Sequence, residues 1–395
     1  MKINTDPKKI NELLTRGVDE VIVLESLKKK LELGKQLRIK FGVDPTAPDL
    51  HIGHAVPLRK LRQFQDMGHQ IILLIGDLTA TIGDPSGRDA TRPILDKPAI
   101  KRNMKTYIEQ AAKIIDMDKT ELRYNSEWYD IPNFTKFIME LTSKITVARV
   151  LDRADFQKRL KEDSDIQMQE IFYPLLQGYD SVALKADVEL GGVDQKFNLL
   201  MGRKIQRKYD QPEQDILTVP LLVGTDGEKK MSKTYGNYIA LMDSADEMIG
   251  KAMSVPDNLI IEYFELATDV SIDDIEMNKK RLKKGENPRD LKLELAESIV
   301  KIYHGKKAGA EARENFLKMF QKKERPDEIK EFDLAGKSII ETLVESKVVS
   351  SNSDARRNIE QKGVKLNDKV VEGFDVKVKS GDVIQKGKRF FIKIK

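Results

Sequence analysis

Cysteine is absent from the 395-residue chain. This excludes disulfides and thiolate-bound metal and fits a reducing compartment. No apolar run approaches the ~18 residues that span a bilayer. The opening stretch, MKINTDPKKINELL, lacks the apolar block of a signal peptide. A cytoplasmic protein with no membrane partner is therefore expected. Internal repeats and low-complexity tracts are also missing. Net charge is small, +5 from 69 Lys+Arg and 64 Asp+Glu, so its location matters more than its size. Residues 335–395 hold 14 Lys+Arg against 8 Asp+Glu, and the rest of the chain holds 55 against 56. A basic appendage on a near-neutral body points to nucleic acid as a partner, or else to a merely solubilising surface.

What is present is enough apolar content, 40%, for a sizeable core and two or three domains. Ile10, Leu13, Leu14 and Val18 recur at helical spacing, and a charged helix is expected from Leu24 to Leu33, ended by Gly34. Short β-rich runs follow at LRIKFGV, QIILLIG, ADVEL and ILTVPLLVG, separated by helical stretches such as KLRQFQDMG and QKFNLLMGRKIQRKY. That alternation predicts an α/β fold with a parallel, Rossmann-like sheet, whose ligands bind beyond the carboxyl ends of the strands. From residue 240 to 320 helical patterning takes over, with Leu291, Leu295, Ile299 and Ile302 on one face. A charged, proline-containing linker is expected over 321–334, then a small α+β unit over 335–395.

Two histidines in PDLHIGHAVP, His51 and His54, flank Ile52 and Gly53. A zinc site needs a third ligand and usually a carboxylate base, which the intervening residues do not supply. Core packing is the blander alternative. A nucleotide site explains more: Gly53 permits close approach, the following helix offers a positive end, and the imidazoles donate to phosphate. Pro57 suits an early position in that helix. Further on, GEKKMSKTYGN places Lys230 and Lys233 in a glycine-flanked loop, as needed for two ammonium groups closing on a polyphosphate.

In these two stretches the sequence resembles the class I aminoacyl-tRNA synthetases, whose signatures are His-Ile-Gly-His and Lys-Met-Ser-Lys-Ser. Residues 51–54 match the first fully, and residues 230–234 match the second except for Thr234. Further stretches resemble the tyrosyl-tRNA synthetases in particular: FGVDPTAPDLHIGHAVPLRKLRQFQDMGH, IGDPSGR, YNSEW, YPLLQGYDS and GGVDQKFNLLMGR. The resemblance implies substrates L-tyrosine, ATP with Mg²⁺ and tRNA(Tyr), no metal held by the protein itself, and a homodimer. It implies that Asp84, Tyr173 and Gln177 hold the substrate ammonium group, Asp180 meets the phenol, Asn125 contributes to the substrate pocket, and Gln195 lies near the carboxylate. Asp44, Gly53 and Asp194 are implied in ATP binding. Thr46, His51, His54, Lys230, Lys233 and Thr234 would stabilise the transition state for adenylate formation.

A phenol told apart from phenylalanine needs a buried hydrogen-bonding partner. Asp180 is the candidate, with a helix-capping carboxylate as the alternative. Well-known family members carry tyrosine at the position of Lys40, where lysine either donates to the phenol oxygen or pairs with Asp180. The expected domains are a catalytic nucleotide-binding domain over 1–239, a helical anticodon-binding domain over 240–320, and an RNA-binding domain over 335–395. The last resembles an RNA-binding domain first seen in a small-subunit ribosomal protein. Ser353 is its expected helix N-cap, with Arg356, Arg357, Lys362 and Lys365 facing tRNA phosphates. A tryptophanyl relative, a small nucleotidyltransferase and a noncatalytic RNA-binding relative are the rival readings.

Overall fold

The computed structural model describes residues 3–84, 86, 96–321, 329–387 and 390–395. The chain divides into two compact units, Met1–Lys306 and Lys307–Lys395. The first is built on six strands: β1 (Glu20–Ile22), β2 (Arg38–Val43), β3 (Gln70–Ile75), β4 (Thr120–Tyr124), β5 (Val188–Gly192) and β6 (Asp215–Val219). Their order is β1-β6-β5-β2-β3-β4, with β1 antiparallel to β6 and the remaining pairs parallel. The four strands expected from sequence are the four central ones. The two it missed lie at the edges, where β1 is three residues long and no residue of β4 is fully buried. Edge strands need no continuous apolar run, so their signal is weak.

β3 is buried from Ile71 to Ile75, as a strand covered on both faces must be. β2 lies between β3 and β5, so the chain leaves it toward β3 on one side and returns at β5 on the other. This is the reversal point at which open α/β sheets bind ligands. The helix Ile52–Asp66 follows β2 and buries Ile52, Ala55, Val56, Leu58, Leu61 and Phe64. Pro57 is its sixth residue, not a first-turn residue as expected, so the Gly53 carbonyl lacks the amide partner that position would otherwise supply.

The first helix ends at Thr15, short of the expected Val18, because Gly17 turns the chain with φ +59°. Its last-turn carbonyls are met from outside. Lys60, 3% exposed, donates to the Leu13 and Arg16 carbonyls at 2.8 and 2.6 Å and to Gln63 Oε1 at 2.7 Å.

Beyond residue 239 come helices Ala245–Ala252, Ile260–Ala267, Ile272–Lys283 and Pro288–Gln321, the last broken by a non-helical Gly305 at φ +88°. Through residue 306 this segment belongs to the same compact unit as the sheet. Backbone bonds Ile52 N–Ile239 O (3.0 Å) and Leu241 N–Leu50 O (2.9 Å), and Arg16 on the Thr268 carbonyl (2.8 Å), stitch the two parts together. No helix among the described residues is long and apolar enough to cross a membrane.

The second unit carries β7 (Lys330–Phe332), β8 (Val364–Leu366), β9 (Lys369–Val370), β10 (Val383–Lys386) and β11 (Phe390–Ile394), in the order β7-β11-β10-β8-β9. Two helices, Ile339–Glu345 and Asn352–Glu360, pack on it through Ile339, Leu343, Ala355 and Ile359. Part of the expected linker, residues 330–332, is strand, since β7 pairs in parallel with β11. The helix N-cap is Ser351, whose side chain accepts from the Asp354 amide, and Ser353 lies inside the helix.

Replacing Lys60 by methionine removes three donors and leaves two helix-end carbonyls buried without partners. Urea unfolding should report a loss of about 2 kcal/mol; an unchanged midpoint and slope would show that water reaches these carbonyls.

Candidate active site

A cleft of about 440 Å³ opens at the carboxyl ends of β2 and β5. Its lining includes Lys40, Asp44, Thr46, His51, Gly53, His54, Asp84, Tyr173, Gln177, Asp180, Asp194, Gln195, Lys230, Lys233 and Thr234. The sequence scatters these residues over nearly two hundred positions. The reversal of the sheet brings them together.

At the floor, Asp180 on helix Met168–Leu184 is 3% exposed and accepts a 2.9 Å bond from Trp128 Nε1. Lys40, fully buried in β2, does not pair with Asp180 as one expectation held. Its ammonium meets Glu189 Oε1 of β5 at 2.8 Å, Ser181 Oγ at 2.8 Å and the Gln177 carbonyl at 3.0 Å. Glu189 also accepts from Ser181 Oγ at 3.1 Å and from Gln214 Nε2.

On the β3 side, Tyr173 donates to Asp44 Oδ2 at 2.8 Å and Thr79 to Asp44 Oδ1 at 2.7 Å. Asp44 is therefore braced through both oxygens. Gly76 permits this, because a Cβ there would collide with Asp44 and Thr79. Asn125, expected in the substrate pocket, is fully buried and absent from the cleft lining. Its amide donates to Thr79 Oγ1 at 3.0 Å and accepts from the Leu78 amide at 3.0 Å, so it holds the loop that holds Asp44. Asp84 accepts from Gln195 at 2.7 Å, and the buried Arg153 guanidinium lies 4.0 Å away, bonded also to Ser86.

At the mouth, the His51 and His54 rings stand 3.8 Å apart. The His51 amide donates to His54 Nδ1 at 3.2 Å, which leaves the proton of a neutral His54 on Nε2. His51 Nδ1 is buried with no hydrogen-bond partner, and burial, then His54 and Lys233, push its pKa down to about 2. His51 thus stays neutral. Gly53 makes room for this ring, since a Cβ would sit 3.0 Å from His51 Nδ1. Lys233 pairs with Asp49 at 2.7 Å and Lys230 approaches Asp194 at 3.9 Å, both partly exposed. Met231 anchors their loop, being 5% exposed and bonded through its amide to the Leu222 carbonyl at 2.8 Å. No group of three or more metal-ligating side chains occurs among the described residues.

A family model for class I tRNA synthetases (W and Y) matches residues 32–321, and one for the SYY-like C-terminal domain of tyrosine–tRNA ligase matches residues 323–393. The tyrosine–tRNA ligase of Thermotoga maritima is 50% identical over 392 residues, 98% of each chain. The chain belongs to the tyrosine–tRNA ligase family. The corresponding ligases of Bordetella avium and Dehalococcoides mccartyi are 49% and 48% identical over 96% and 99% of this chain, covering 94% and 100% of theirs. In fold, the chain is similar to a truncated mitochondrial tyrosyl-tRNA synthetase of Aspergillus nidulans, with TM-score 0.67, 24% identity and coverage of 79% and 94% of the two chains. A tyrosyl-tRNA synthetase of Archaeoglobus fulgidus, solved with L-tyrosine, gives TM-score 0.65 at 23% identity, over 79% of this chain and all of that one.

Sequence reasoning missed Glu189, the partner of Lys40, and also Trp128 and Thr79. Glu189 and Lys40 are oppositely charged residues in two strands expected to be buried, a signal that they pair. Trp128 and Thr79 carried no such sign. Trp128 acts from behind the lining through Asp180, and Thr79, part of the lining, acts through Asp44.

Burial raises the Asp180 pKa from 3.8 to about 7, against the pull of Lys40, Trp128 and Tyr129. Between those values the folded chain holds a proton that the unfolded chain has released, so stability declines as pH rises and the penalty is complete above about 7. Asparagine has no such titration and can still accept from Trp128. The melting temperature of Asp180→Asn relative to the parent should therefore increase between about pH 5 and pH 8, while tyrosine kcat/KM falls by ~10². A pH-independent difference would mean that the carboxyl is ionised at both ends of that range.

Proposed function

We propose that the cleft joins L-tyrosine to ATP, releasing pyrophosphate, and then passes the tyrosyl group from the adenylate to the 3′-terminal adenosine of tRNA(Tyr). The observation that carries this is the arrangement of one cleft at the sheet reversal, with buried carboxylates at its floor and two loop lysines beside paired imidazoles at its mouth. In it, the phenol would lie at Asp180. The ammonium would lie among Asp84, Tyr173 and Gln177, and the carboxylate near Gln195. ATP would lie along Thr46, Gly53 and Asp194, with Asp44 acting as a brace.

An oxygen of the tyrosine carboxylate attacks the α-phosphorus, and the bond from that phosphorus to the bridging oxygen breaks. The nucleophile is already ionised, and pyrophosphate needs its charge neutralised more than it needs a proton. A general base is therefore unnecessary. His51 and His54, neutral donors by the geometry above, together with Thr46 and Thr234 serve the phosphates, while Lys230 and Lys233 exchange their partners Asp194 and Asp49 for pyrophosphate. Mg²⁺ enters with the substrate, on the phosphates of ATP. In the second step the adenosine hydroxyl attacks the adenylate carbonyl and AMP leaves.

The finer assignments follow the same reading. Residues 1–239 hold the reaction, 240–320 meet the anticodon arm, and 335–395 bind RNA through Arg356, Arg357 and Lys362, all exposed, with the half-buried Lys365 beside them. Arg356 lies over Phe374 and Arg357 pairs with Asp354 at 2.8 Å, a weak surface pair that phosphate can displace. A homodimer is supported by the run of exposed large apolar side chains Ile131, Met139, Val147, Leu160 and Met168 in one stretch of the catalytic unit. The working compartment is the cytoplasm.

Lys233→Ala should slow single-turnover adenylate formation by ~10² to 10³, with tyrosine affinity little changed. A matching loss in tyrosine affinity would assign Lys233 to ground-state binding. Removing residues 322–395 should spare pyrophosphate exchange and impair tRNA charging. Undiminished charging would remove the RNA role from the tail.

A further inference from the structure

We infer, building on the tyrosine reading above, that Trp128 and the Lys40–Glu189 pair are positioning residues that set Asp180 against the substrate phenol, and that Lys40 itself makes no bond to the phenol. An ammonium has three N–H donors. The three of Lys40 point to Glu189 Oε1, Ser181 Oγ and the Gln177 carbonyl, all within 3.0 Å. A fourth partner would have to displace one of these in a fully buried setting, leaving a carboxylate or a carbonyl unpaid. Gln177 and Ser181 flank Asp180 on the same helix, so Lys40 fixes the helical turn that presents the carboxylate.

Trp128 fixes the carboxylate itself. Its indole N–H occupies Asp180 Oδ1 at 2.9 Å. The ring is held by the Arg123 guanidinium 5.6 Å from its centroid, by an edge contact with Tyr129 at 6.1 Å, and by Ile72, Leu74 and Leu184. It does not itself line the cleft. Discrimination between tyrosine and phenylalanine thus rests on one carboxylate, oriented by an indole on one side and by a neutralised ion pair on the other.

The test is ATP–pyrophosphate exchange by the full chain with tyrosine and with phenylalanine, comparing the kcat/KM ratio of the two amino acids. Trp128→Phe removes the orienting donor and should lower that ratio about tenfold or more, through the tyrosine KM. Lys40→Met alone leaves Glu189 buried and unpaired, and should be poorly folded. The double variant Lys40→Met with Glu189→Gln restores neutrality and should recover folding, with the ratio lowered less than in Trp128→Phe. Loss of fold alone would depress both amino acids and leave the ratio in place. If the double variant loses at least as much discrimination as Trp128→Phe, Lys40 touches the phenol and the inference is overturned. If Trp128→Phe leaves the ratio unchanged, the role of Trp128 is overturned. Should the unaltered chain exchange no tyrosine at all, the proposed function itself is wrong.

Discussion

The Lys40–Glu189 ion pair ties together the two strands between which the site opens. Lys40 of β2 and Glu189 of β5 are register partners across the line where the sheet reverses direction. Two charges there are costly to desolvate, and the cost is offset only because each finds further partners: Ser181 and the Gln177 carbonyl for the lysine, Ser181 and Gln214 for the glutamate. A hydrophobic pair would pack the same space. It would not carry the hydrogen bonds that hold helix Met168–Leu184, and therefore Asp180, against the end of β2.

From this stitch the cleft has a polarity. Its floor is buried, with Asp180 pushed toward neutrality by burial and Glu189 neutralised by Lys40. Its mouth carries cations and is partly exposed, with Lys230 and Lys233 on a loop anchored by the buried Met231 and Asn237. On the proposed reading, a substrate with a phenol at one end and a carboxylate at the other would enter in one direction only. The reacting carboxylate would then lie near the histidines and lysines, where charge develops on the phosphates. The motif lysines hold carboxylate partners that a polyphosphate can replace, so the loop is anchored yet its charges are exchangeable.

Much of this was legible in the sequence, and what was not had physical reasons. The central strands announce themselves through apolar runs such as QIILLI, and the two signature motifs through residue types that core packing does not favour. The edge strands Glu20–Ile22 and Thr120–Tyr124 need no such run. Asn125 reads as a pocket residue because the family resemblance implies it. In the fold its amide is spent on Thr79 and the Leu78 backbone. Lys40 reads as a substrate donor until Glu189 is placed opposite it. Sequence patterns locate residues along the chain, but a hydrogen-bond valence is filled in three dimensions.

The most direct measurement is ATP–pyrophosphate exchange with each of the twenty amino acids in the absence of tRNA. Exchange with tyrosine and no other amino acid is the result expected of a cleft whose floor is an oriented carboxylate. Exchange with tryptophan, or equal exchange with tyrosine and phenylalanine, would contradict it.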